Sequence, residues 1–204
     1  MIVERIGRVV RGLGGLYLTR TVQDGAVEFY TTRAKGSLKR DEEKVKIGDE
    51  VKITLDTEIP DSAVISEILP RRSSLIRPPV ANLDYIFIVL AAKKPAPVLE
   101  TADKMIAIAI HNNITPIVVI TKADLDSEYA TEICNIYTAS GIPAFITSSE
   151  EGIGTAALSD YIKETVREGK MAAFAGASGV GRSEERRVGK ECIGRCRSRW
   201  SPSH

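Results

Sequence analysis

No apolar run in this chain reaches the roughly 18 to 20 residues that a bilayer-spanning helix needs, so no membrane role is expected. The start, Met1-Ile2-Val3-Glu4-Arg5, has neither the basic nor the apolar region of a signal peptide, and a cytoplasmic location is the expectation. Cysteine is scarce: Cys134, Cys192 and Cys196 are too few for a paired disulfide framework. Cys134 has no evident catalytic partner and reads as a buried apolar residue. Internal repeats and low-complexity tracts are also missing. What is present, 204 residues with 43% hydrophobic and 27% charged, suits one or two domains with ordinary cores.

The net charge of +1 hides an uneven tail. From Arg182 the run Arg182-Ser183-Glu184-Glu185-Arg186-Arg187-Val188-Gly189-Lys190-Glu191-Cys192 continues neither a helical nor a strand period. It matches, one residue per codon, the translation of a widely used sequencing-library adapter. After an index covering Ile193-Gly194-Arg195, the same adapter resumes as Cys196-Arg197-Ser198-Arg199-Trp200-Ser201-Pro202. Residues 182–204 are therefore expected to be non-native, like a cloning scar, and Cys192, Cys196 and His204 are not expected to hold a metal. Without the tail's seven Lys/Arg and three Asp/Glu, residues 1–181 hold 21 basic and 24 acidic groups, a net charge of −3. Any RNA contact must then rest on local patches.

Residues 5–68 read as short strands, 7–18, 26–33, 50–55 and 63–69, with Gly12, Gly14, Gly15, Asp24-Gly25 and Gly48-Asp49 as bends and turns. Short strands with internal glycines suit a five-stranded Greek-key barrel of the OB type, which needs bulges and corners to close. Pro60, Pro70, Pro78 and Pro79 mark a change of style, and the boundary is expected near 69–80. From Asn82 the pattern is α/β. The continuous apolar runs 85–91 and 116–121 suit parallel strands covered on both faces. Helices are expected over 100–112, 127–140 and 154–168, with further strands over 143–147 and 170–175. This alternation implies a doubly wound sheet with ligand loops at the carboxyl ends of its strands. The expected domains are 1–69, 70–181 and the non-native 182–204.

The strand ending at Ala175 runs into Gly176-Ala177-Ser178-Gly179-Val180-Gly181-Arg182-Ser183, a phosphate-loop pattern with Arg at the lysine position. Such glycines let backbone N–H groups turn toward phosphate, a lysine reaches the outer phosphates, and the hydroxyl of Ser183 is the candidate Mg²⁺ ligand. Arg182 coincides with the adapter's first codon, so a native lysine is expected there. The competing reading is a glycine-rich turn that merely ends a strand. Thr121-Lys122-Ala123-Asp124 follows a buried strand and is a variant of the guanine-selecting Asn-Lys-x-Asp motif. A carboxylate at Asp124 accepts from guanine N1–H and its exocyclic amine, whereas adenine offers an acceptor at N1. The Lys122 stem is expected along the base with its ammonium near the ribose. Thr stands at 121 in place of the common Asn, so the side-chain bridge from this loop to the phosphate loop is not assured by the pattern. The alternative for Asp124 or Asp126 is an N-cap of the following helix. Thr147-Ser148-Ser149 occupies the place of a loop whose backbone N–H meets guanine O6, or is an ordinary serine turn.

Both base-recognition motifs precede the phosphate loop, the reverse of the usual GTPase order, which describes a circularly permuted domain. In this order, with the barrel, Arg71-Arg72 and Arg77-Pro78-Pro79-Val80-Ala81-Asn82-Leu83-Asp84, the chain resembles the ribosome small-subunit-dependent GTPase A (RsgA) family over 5–181. The resemblance implies an OB-type barrel followed by a circularly permuted α/β P-loop GTPase domain, incomplete here, and a zinc-binding domain that this sequence does not contain. It also implies GTP and GDP as ligands with Mg²⁺, hydrolysis stimulated by the small ribosomal subunit, and a part in late maturation of that subunit through its rRNA. No catalytic residue is assigned: a switch threonine, an Asp-x-x-Gly motif and a Cys/His cluster are not found. The alternative is a non-hydrolysing RNA-binding module with a guanine-nucleotide-sensing domain. For RNA the candidates are Arg33, Lys35, Lys39, Arg40, Arg71, Arg72 and Arg77, against solvated loops as the plainer reading. Residues 1–69 are expected to fold alone, and 80–204 to be marginal and inactive in GTP hydrolysis.

Overall fold

The computed structural model describes residues 2–36, 38, 44–56, 63–76, 79–167 and 169–181. They form two compact units, one reaching Asn82 and the other starting at Leu83.

The first unit is a closed barrel of strand order β1-β2-β3-β5-β4, with β1 Ile2–Leu13, β2 Leu16–Gln23, β3 Ala26–Ala34, β4 Glu50–Asp56 and β5 Val64–Ile68. The expected single strand over 7–18 is a hairpin. Leu13 pairs with Leu16 across Gly14-Gly15, both at positive φ (59° and 81°), the mirror-image turn whose twist suits a hairpin. Asp24-Gly25 (φ 52° and 78°) makes the same turn between Gln23 and Ala26. Strict alternation on β4 sends Val51, Ile53 and Leu55 inward, where they pack with Val9, Ala63 and Ile65. Closure requires β1 to bend. A bulge between Val9 and Arg11 shifts its register, and Gly7 lets it lie close on β2: a Cβ there would stand 2.7 Å from the Thr19 methyl. β5 then completes the ring, parallel to β3 and antiparallel to β4.

The stretch after β5 packs on the barrel. Arg71 makes a bidentate pair with the fully buried Asp49, Nε to Oδ1 at 2.7 Å and an NH2 nitrogen to Oδ2 at 2.9 Å. Lys46 Nζ donates to Ser74 Oγ at 2.7 Å, and the Ala81 N–H donates to Ile47 O at 2.8 Å. The buried Asn82 side chain accepts from Arg72 N and donates to Gly48 O.

The second unit is a four-stranded parallel sheet of order β8-β7-β6-β9, with β6 Tyr85–Ala91, β7 Thr115–Thr121, β8 Ala144–Ile146 and β9 Ala172–Gly176. Its helices are α1 Leu99–His111, α2 Ser127–Ala139 and α3 Thr155–Thr165. The central strands β6 and β7 are buried along nearly their whole length, as their unbroken apolar runs require. One face, Phe87, Val89, Ala91, Ile117 and Val119, packs on Leu158 and Ile162 of α3 and on Val180. Phe87 also stacks on Phe174 with ring centroids 4.9 Å apart. Alternation leaves Ile86, Ile88, Val118 and Ile120 on the other face, the side of α1 and α2, whose Ala102, Met105, Ile106, Ala130 and Ile133 are buried. Among the described residues no helix is long and apolar enough to cross a membrane.

Candidate functional site

Parallel strands end on the same edge of their sheet, so the segments after β7, β8 and β9 meet there. Residues 121–124 leave β7, residues 147–149 leave β8, and residues 176–181 leave β9.

The segment after β9 depends on glycine. Gly176 lies so close to β6 that a Cβ would stand 2.4 Å from Val89 O, and Gly179 and Gly181 have φ of 83° and 92°. Val180 between them is buried in the core and anchors the loop. Its carbonyls are held from the β7 side. Thr121, 3% exposed, donates from Oγ1 to Val180 O at 2.5 Å, with Leu90 O at 3.1 Å as a weaker second acceptor. Lys122 Nζ donates to Gly179 O at 2.7 Å and to Lys94 O at 2.5 Å. In a trans peptide the N–H points opposite to the carbonyl, so these bonds turn the Val180 and Gly181 N–H groups away from residues 121–122. The N–H groups of Ser178 to Gly181 meet no acceptor among the described residues. A cradle of unpaired donors that tolerates no Cβ at its base fits a phosphate chain.

Thr121 thus makes the bridge that the Asn-to-Thr departure left open. The Lys122 ammonium sits on two carbonyls, and Lys122 itself is left-handed (φ 56°) where the chain turns into a short 3₁₀ segment, Ala123–Leu125. That turn presents Asp124 at the surface. The fully buried Ser148 hydroxyl donates to Asp124 Oδ1 at 2.6 Å. One hydroxyl bond occupies one of about four lone-pair positions of a carboxylate, leaving room for a bidentate partner. The N-cap of α2 is Asp126, whose Oδ1 accepts from Tyr129 N, so capping does not engage Asp124. Ser148 N–H is taken by Ile153 O at 2.9 Å, whereas Ser149 N–H has no acceptor among the described residues. Gly154 fixes this loop: a Cβ there would lie 1.9 Å from Ile146 O.

The pattern missed Ser148 as a side-chain partner of Asp124 and Lys94 as a carbonyl partner of Lys122. Both contacts link segments distant in sequence. On the barrel, Arg33 and Lys35 are exposed. Arg71 is engaged by Asp49 and by Lys44 O at 3.0 Å. Lys39, Arg40, Arg77, Arg182 and Ser183 lie outside the described residues.

Comparison with known proteins gives one consistent set. The RsgA GTPase family matches residues 68–184, and the RsgA N-terminal domain matches residues 6–60. The small ribosomal subunit biogenesis GTPase RsgA of Caldanaerobacter subterraneus is 40% identical over 183 residues, covering 89% of this chain and 58% of that protein. The RsgA of Alkaliphilus metalliredigens is 34% identical over 87% of this chain and 58% of its own length. The crystal structure of YjeQ from Thermotoga maritima superposes with a TM-score of 0.75 at 28% identity, over 91% of this chain and 65% of that one. YloQ, described as a circularly permuted GTPase, gives a TM-score of 0.70 at 27% identity, over 88% and 62%. The chain therefore spans 58% of the length of these curated relatives.

Proposed function

The chain belongs to the RsgA GTPase family, and from that premise we propose that it binds GDP and GTP through residues 121–124, 148–149 and 176–183. The whole protein then acts as a GTP hydrolase in late maturation of the small ribosomal subunit, in the cytoplasm. The observation that supports this most is the coupled pair of loops: Thr121 and Lys122 hold the carbonyls of the phosphate cradle while Asp124, two residues on, faces outward with Ser148 behind it.

In this reading the N–H groups of Ser178 to Gly181 receive the phosphates. Asp124 accepts from guanine N1–H and the exocyclic amine, Ser149 N–H meets O6, and the Lys122 stem lies along the base. The ammonium of Lys122 keeps the phosphate loop and the 94 carbonyl in register with the base. Mg²⁺ bound with GTP would neutralise phosphate charge, and a hydroxyl at position 183 would be the ligand that this chain offers it. On the barrel side, Arg33, Lys35, Lys39, Arg40, Arg72 and Arg77 are the contacts for rRNA phosphates. Arg71 shares in this only through the shape it gives the stretch it locks.

With lysine restored at position 182, competitive titration against a fluorescent GDP tests the nucleotide reading. GDP should displace the probe at far lower concentration than ADP; equal displacement would remove the assignment.

A further inference from the structure

A fourth segment reaches the edge of the sheet where residues 121–124, 147–149 and 176–181 gather. It leaves β6 as Ala92-Lys93-Lys94-Pro95-Ala96-Pro97-Val98 and leads into α1. It carries no glycine-rich or base-reading pattern, yet it is held against the phosphate cradle. Ala92 N–H donates to Thr121 O at 2.8 Å, and Lys93 Nζ pairs with Asp126 Oδ2 at 3.5 Å. The Lys122 ammonium that donates to Lys94 O also donates to Gly179 O, so these two carbonyl oxygens stand within about 5 Å of each other. Pro95 Cδ lies 3.9 Å from the place that a Cβ would take on Gly179. Among these anchors Lys94 is the cation left over: it is exposed and has no acidic partner among the described residues. Its backbone is left-handed (φ 54°), where glycine would hold the turn with less strain, so the turn by itself does not call for lysine.

We propose that Lys94 is a phosphate ligand supplied from outside the phosphate loop, its ammonium meeting the phosphate chain of the bound guanine nucleotide. The proposal rests on the nucleotide reading and adds to it a residue from the segment after β6. A lysine stem reaches roughly 6 Å from its Cα, a length comparable with the separation of residue 94 from the rim of the cradle. The cradle itself offers neutral N–H donors, so a cation at its rim strengthens the hold on a multiply charged anion. The anion in turn relieves the repulsion between Lys94 and Lys122, whose ammonium lies on the Lys94 carbonyl.

The test takes the full chain with lysine restored at position 182 and titrates GDP, inosine diphosphate and ADP against a fluorescent GDP at low and at high salt. Lys94→Gln should raise the Kd for GDP about fivefold at low salt and by less at high salt, because a contact between solvent-exposed charges is screened. Lys94→Arg keeps the charge and should bind like the parent. The backbone carbonyl that holds Lys122 is present in all three proteins, so the preference for GDP over inosine diphosphate and the melting temperature should not change. An unchanged Kd in Lys94→Gln, a loss that arginine does not restore, a loss that high salt leaves undiminished, or a reduced preference for GDP over inosine diphosphate would each overturn the proposal. ADP separates the two readings. A parent protein that binds ADP as well as GDP would sink the base assignment, while an equal, salt-sensitive loss for both nucleotides in Lys94→Gln would leave the phosphate contact standing.

Discussion

Replacing Thr121 with valine removes one buried hydroxyl at nearly constant volume. The bond lost is Oγ1 to Val180 O at 2.5 Å, in a residue 3% exposed to solvent, and no water can take its place without a cavity. A buried carbonyl left without its donor costs about 1 to 3 kcal/mol. Part of that appears as lost stability of the second unit. The rest appears as lost nucleotide affinity, because the Val180–Gly181 peptide plane, no longer pinned by its carbonyl, must be ordered by the phosphate itself. An affinity share of about 1 kcal/mol corresponds to a roughly fivefold rise in Kd for GDP. Thr121→Ser keeps the donor and should stay near wild type. Thr121→Asn, with an amide that reaches the same carbonyl, should fall between. Fluorescent-GDP titration with thermal melting reads both shares. Wild-type Kd and melting temperature in Thr121→Val would refute the idea that this hydroxyl ties base loop to phosphate loop.

Other outcomes follow from single contacts. Gly154→Ala should disorder the loop holding Ser148 and Ser149, because its Cβ would lie 1.9 Å from Ile146 O, and GDP binding should drop more than in Thr121→Val; titration reads it. Arg71→Leu leaves the fully buried Asp49 carboxylate without its cation and should destabilise the barrel by about 3 to 5 kcal/mol in urea denaturation. The Glu28 carboxyl is held below its ordinary 4.5 first by the Tyr30 hydroxyl and then by Arg5. A depressed pKa means stabilisation that is present above about 4.5 and lost as pH falls through the lower, folded-state value. Glu28→Gln should therefore flatten that acid limb of the barrel's melting curve; an unchanged pH profile would show that this cluster adds nothing.

Much of the architecture was legible because its signals are local. The unbroken apolar runs of β6 and β7 suit strands covered on both faces, and the structure buries them so. The barrel followed from short strands and glycine corners. Where the reading ran one strand through residues 7–18, it counted Gly14 and Gly15 only as bends, although together they are a dipeptide suited to the positive φ that a hairpin turn demands. Tertiary contacts were not legible. Asp49 and Arg71 are 22 residues apart, and nothing in either neighbourhood announces that they pair. The same holds for Ser148 behind Asp124, 24 residues away. The choice between Asp124 and Asp126 as helix cap was open in sequence, because either carboxylate precedes the apolar period; backbone geometry gives it to Asp126.

The central claim is that Asp124 recognises guanine through both of its donors. Inosine diphosphate lacks the exocyclic amine and keeps N1–H, so GDP and IDP titrations on the wild type and on Asp124→Asn isolate that contact. The account predicts that the wild type prefers GDP over IDP by about tenfold, the value of one charge-assisted hydrogen bond. Asp124→Asn should weaken GDP by about 2 to 4 kcal/mol and bring the two ligands close to equal. A GDP preference that survives Asp124→Asn undiminished would contradict it.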